Sequence, residues 1–91
     1  MKYLVTGAAG FIGFHLCQSL LQNDKNVRGI DDINNYYDVK LKRDRLKNLN
    51  KFKKFKFKKL DISNFKNLKK TFSSFKPDVV IHLAAQAGVR Y

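Results

Sequence analysis

The sequence predicts an α/β fold, a doubly wound parallel sheet with helices on its faces. Three observations predict it. Short apolar runs alternate with stretches whose apolar residues recur every three or four positions, giving the order β-α-β-α-β-α-β. Parallel strands joined by right-handed crossovers satisfy that order. Small residues, Gly7-Ala8-Ala9-Gly10, join the first strand directly to the first helix. The last apolar run, Val79-Val80-Ile81, is continuous, as in a strand covered on both faces.

Each element has its own signal. Residues 2–6, Lys2-Tyr3-Leu4-Val5-Thr6, read as a short buried strand. Residues 11–22 read as a helix, with Ile12, Leu16 and Leu20 and then Cys17 and Leu21 at helical spacing. A turn at 23–25 leads to a second strand over 26–31 that ends on Asp31. A polar loop follows, then a helix over 38–49 with Val39, Leu41, Leu46 and Leu49 as its apolar positions. In the third strand, over 55–61, the alternation Phe55-Lys56-Phe57-Lys58 puts Phe on one face and Lys on the other. The third helix spans 64–75, capped by Asn64 or Ser63, with Phe65, Leu68, Phe72 and Phe75 on one side. Lys76-Pro77 stops it, and residues 78–83 form the fourth strand.

Composition bounds the function. A chain of 91 residues makes one small domain, and 44% hydrophobic residues exclude wholesale disorder. No apolar run approaches the roughly 20 residues of a membrane span. The N-terminus turns polar too soon for a signal peptide. The single cysteine, Cys17, excludes an internal disulfide and a cysteine-built metal site, which points to a reducing cytoplasm. The net charge of +12 is concentrated, since residues 40–76 hold fifteen of the nineteen basic side chains. A basic nucleic-acid-binding module over residues 40–59 is therefore one reading. Solvated helix and strand faces are the other. The period-two Phe/Lys pattern and the preponderance of Lys over Arg favour solvated faces, so nucleic acid is the disfavoured partner.

The strongest chemistry lies in Gly7-Ala8-Ala9-Gly10-Phe11-Ile12-Gly13, which follows a strand and opens a helix. Gly7 permits the sharp turn, Gly10 lets a pyrophosphate approach the backbone, and Gly13 lets the helix pack on the sheet. The unpaired N–H groups of the helix start then face the phosphates. A tight turn with no ligand is the alternative. Asp31 ends the second strand 18 residues after Gly13, where a carboxylate accepts from the ribose hydroxyls of a dinucleotide. It repels a 2′-phosphate, and no arginine follows at once, so NAD is favoured over NADP. Asp61 ends the third strand and can bind adenine, or simply start the next helix. Leu83-Ala84-Ala85 offers small residues against which a cofactor can lie. His15, Cys17 and His82 are read as structural.

These residues resemble a known family. Thr6 to Gly13, Asp31, Asp61-Ile62 and His82-Leu83-Ala84-Ala85-Gln86-Ala87-Gly88-Val89-Arg90-Tyr91 are similar to the N-terminal part of extended short-chain dehydrogenase/reductases, and within them to NAD-dependent sugar-nucleotide epimerases. The resemblance implies a Rossmann domain holding NAD through Gly7, Gly10, Phe11, Ile12, Gly13, Asp31, Asp32, Asp61, Ile62, Leu83, Ala84, Ala85 and Gln86. The family usually places Asn after the ribose-binding acid; here Asp32 stands there, and two adjacent carboxylates repel. The implied reaction oxidises the sugar C4 hydroxyl through bound NAD and returns the hydride to the other face. A Tyr-x-x-x-Lys pair supplies the acid–base chemistry. Only Tyr36 and Lys40 meet that spacing, in the loop after the second strand, so no catalytic residue is assigned.

The expectation is an incomplete NAD-binding Rossmann domain over 1–91, without its catalytic and substrate-binding part and inactive alone. A nucleotide-sugar substrate binds only if that part is supplied. A sheet of order 3-2-1-4 leaves the fourth strand as an apolar edge, which invites self-association. A non-catalytic NAD-binding subunit keeps the same fold.

Overall fold

The computed structural model describes residues 1–32, 39–61 and 63–83. The elements are β1 (Lys2–Thr6), α1 (Phe11–Gln22), β2 (Asn26–Asp31), α2 (Val39–Leu49), β3 (Phe55–Lys59), α3 (Phe65–Phe75) and β4 (Val79–His82). The sheet has the order β3-β2-β1-β4, and every pairing is parallel. The expected boundaries hold to within two residues. The third strand closes at Lys59, although Leu60 N–H still donates to Asp31 O at 3.0 Å.

Period-two alternation sorts the strands onto two unequal faces. Val5, Val27 and Phe55 meet Ala8, Cys17, Leu21, Leu46 and Leu49, so α1 and α2 cover one face. Among the described residues, Leu4, Ile30 and Leu60 meet Leu68 and Phe75 of α3 on the other. Asn64 caps α3 by accepting from Asn67 N–H at 3.3 Å. Lys76 ends it in the left-handed conformation at φ 53°, just before Pro77.

Three sequence readings are corrected. β4 is not covered on both faces, and Val80 is 45% exposed. Among the described residues the strand has one neighbour, β1, and α3 leaves its outer part open. The apolar side of α3 is also only half used: Leu68 and Phe75 pack, whereas Phe65 is 74% exposed and Phe72 is exposed. In α2, Leu41 faces solvent and Lys42 takes the inward position.

Cys17 is fully buried in the larger core, and loss of hydration pushes its thiol up to about 12. Thiolate is the reactive form, so a thiol-specific reagent at pH 8 is expected to label the native chain only as fast as it opens. Labelling of native Cys17 at the rate of the urea-unfolded chain contradicts this.

Candidate cofactor-binding crevice

The connections reverse direction between β1 and β4, and ligands in open α/β sheets bind outside the carboxyl ends of the strands at that switch point. β1 runs there into the glycine turn. Gly7 has φ 72°, which strains any residue with a Cβ. Gly7 and Ala8 N–H groups donate to Ile30 O at 2.7 and 3.1 Å, and Gly10 N–H donates to Gly7 O at 3.1 Å. The turn is thereby pinned to the end of β2.

α1 begins at Phe11 behind Gly10, which supplies no side-chain cap. No acid occupies its first turn. The first N–H groups of a helix have no intrahelical acceptor, so this end suits an anion. Gly13 lies against the turn itself. A Cβ there would overlap Gly7 O and come within 2.8 Å of the Gly7 carbonyl carbon. At Gly10 the nearest atom to an added Cβ is Gly7 O at 3.3 Å. Phe11 and Ile12 are 65% and 66% exposed, a large apolar surface for the first turn of a helix.

The two flanks of the crevice are built differently. On the β4 side, Thr6 Oγ1 accepts Leu83 N–H at 2.9 Å and lies 2.8 Å from His82 Nδ1. His82 is thus a link between the strand ends. On the β2 side, Asp31 is buried. Its Oδ2 accepts Ala9 N–H at 3.1 Å, and its Oδ1 accepts from Lys42 Nζ at 3.1 Å. One turn further along α2, Arg45 donates to Ala9 O at 3.0 Å, and its guanidinium stands 5.8 Å from the Phe11 ring centre. Ala9 is therefore held by both its N–H, through Asp31, and its carbonyl, through Arg45.

Asp61 stands exposed beyond β3. Its Oδ1 accepts Ser63 N–H at 2.9 Å, and that bond holds its carboxyl below the ordinary range. The geometry is that of a turn leading to α3. Asp32 is half-buried, next to Asp31. Ile62, Ala84, Ala85 and Gln86, like Tyr36 and Arg90, lie outside the described residues.

The sequence reading missed Lys42 and Arg45. The signal was present: Lys42, Leu46 and Leu49 share one helical face, so a cation stands in the inward stripe of a helix that follows an acid-ended strand. The basic segment divides accordingly. Lys42 and Arg45 turn inward, Lys40 pairs with Asp44 and Lys54 pairs with Asp24. No helix among the described residues is long and apolar enough to cross a membrane.

A glycine turn that opens a bare helix end at a switch point is the layout of dinucleotide-binding α/β proteins. The GDP-mannose 4,6 dehydratase family matches residues 4–91, and the chain belongs to that family. Within it, the chain is similar to the N-terminal part of UDP-glucuronate 4-epimerases. That enzyme from Thermodesulfobacterium geofontis is 52% identical over 88 residues, covering 97% of this chain and 27% of the relative. Protein CapI of Staphylococcus aureus is 52% identical over 91 residues, again 27% of its length. A crystal structure of UDP-glucuronic acid 4-epimerase from Bacillus cereus, in complex with UDP-glucuronic acid and NAD, matches with a TM-score of 0.86 at 47% identity. It covers 99% of this chain and 28% of that one. The chain thus spans about a quarter of the length of these relatives, at 27% and 28%.

Proposed function

We infer that residues 1–91 form the NAD-binding part of a cytoplasmic nucleotide-sugar epimerase whose substrate is UDP-glucuronic acid. The observation that carries this reading is the bare start of α1 behind the Gly7–Gly10 turn, opening at the β1/β4 switch point beside the buried acid that ends β2. The residues fit the cofactor. Gly10 leaves space for a diphosphate, and the first-turn N–H groups of Phe11, Ile12 and Gly13 supply donors with the helix dipole behind them. The family resemblance assigns the ribose hydroxyls to Asp31, and each carboxylate oxygen can accept more than one hydrogen bond. Asp32, Asp61, Ile62 and the Leu83, Ala84, Ala85 and Gln86 segment complete the assignment through the family resemblance.

NAD, when bound, accepts a hydride from the sugar C4 and returns it. The role of these residues is to fix the adenosine and diphosphate. Tyr36 and Lys40 are not assigned to acid–base work; the family resemblance assigns that to a Tyr-x-x-x-Lys pair, and this chain spans 27% of the relative's length. The nucleotide sugar is likewise assigned to the whole protein.

Calorimetric titration of NAD into the purified chain tests the reading. Saturable one-to-one binding is expected. Gly10→Ala is expected to keep the fold, since its Cβ meets only Gly7 O at 3.3 Å. It should weaken NAD by about tenfold or more, the scale of one lost hydrogen bond to a charged group. A folded parent chain that binds no NAD overturns the proposal, as does a folded Gly10→Ala chain that binds as tightly as the parent.

A further inference from the structure

Lys42 is the one buried lysine among the described residues. Lysine is almost never fully buried without a partner, and here the partner is the acid assigned to the ribose. Its Nζ lies 3.1 Å from Asp31 Oδ1, with the two side chains 8% and 4% exposed. Asp31 is thereby paired with Lys42 at this end of the crevice, and one turn along α2 Arg45 holds Ala9 O. The formal charge of the Asp31–Lys42 pair is zero. Asp31 repels a 2′-phosphate, and no cation follows it immediately in the chain. The cation comes instead from α2, eleven residues on.

Geometry makes this consequential. A hydroxyl that donates to Asp31 Oδ1 at hydrogen-bond distance lies no more than about 6 Å from Lys42 Nζ, given the 3.1 Å separation of the pair. A phosphate on that hydroxyl carries close to two negative charges into the same space. Asp31 repels it and Lys42 attracts it.

We propose that Lys42 is a second specificity-determining residue of the adenosine-ribose subsite, and that it weakens the site's discrimination against NADP. The proposal rests on the cofactor reading above and deepens it. Lys42 acts on the difference between the two dinucleotides, whereas a lysine that only anchors α2 acts on both alike.

The test is the ratio of NADP to NAD dissociation constants, measured by calorimetry on the parent chain, Lys42→Met and Lys42→Arg. The parent is expected to bind NADP within about a hundredfold of NAD. Lys42→Met is expected to raise the ratio by about tenfold or more, the scale of one charge-assisted contact, and Lys42→Arg to leave it near the parent's. An unchanged or lower ratio in folded Lys42→Met overturns the proposal. So does a parent that binds NAD and excludes NADP, a result that needs no variant to fold and leaves the cofactor reading standing. A folded parent that binds neither dinucleotide removes both.

Discussion

Asp31→Ala is expected to destabilise the chain by about 3–5 kcal/mol, the cost of removing one partner from a buried ion pair. The magnitude follows from what remains. Lys42 keeps its charge at 8% side-chain exposure without the carboxylate beside it, and Ala9 N–H loses its acceptor. A surface pair such as Lys40–Asp44, exposed on both sides, is worth at most about 1 kcal/mol. Whole-domain stability is on the order of 5–15 kcal/mol. With a urea slope of about 1–3 kcal/mol/M for a small protein, the unfolding midpoint should fall by at least about 1 M. Asp31→Leu combined with Lys42→Met should recover most of the loss, because it removes both charges together. Equal midpoints for parent and Asp31→Ala would show that the pair contributes nothing.

Gly13→Ala is the second large effect, and two principles oppose each other there. In a helix interior, Ala is favoured over Gly by about 1 kcal/mol. Overpacking typically costs about 1–3 kcal/mol and sometimes more. The overlap here is with Gly7 O and its carbon, which are backbone atoms of a turn pinned to Ile30 O, so neither rotates aside. Overpacking wins. The variant should lose about 1–2 kcal/mol net, the upper part of the overpacking range less what Ala gains in the helix, and bind NAD far more weakly than Gly10→Ala does. A thermal midpoint at or above the parent's would show that α1 shifts freely on the turn.

The strand and helix order was legible because each element repeats one period along its length. The Phe55–Lys58 alternation, the small-residue turn and the acid ending β2 are local patterns, and all stand where they were expected. What escaped were relations between elements. The inward turn of Lys42 depends on where α2 lies against β2, and a count of the apolar positions Val39, Leu41, Leu46 and Leu49 passed over it. The exposure of Val80, Phe65 and Phe72 depends on how far α3 reaches across the sheet, which no residue of α3 encodes alone. Asp61 shows the ambiguity of a single acid, since a turn and a ligand site want the same residue.

The unequal faces of the sheet set an order in which the structure can come apart. α1 and α2 share a broad core, whereas α3 is held by Leu68 and Phe75 on a cluster of three buried residues. Elements with few buried apolar contacts open at the lowest free energy, so α3 amides should exchange their hydrogens with solvent before those of α1. α3 leads through Lys76 and Pro77 straight into β4, and β4 carries one wall of the crevice. The opposite wall is bolted to α2 through Asp31, Lys42 and Arg45. A ligand in the crevice therefore leans on one stiff wall and one yielding wall, and its entry and exit should run along the yielding one.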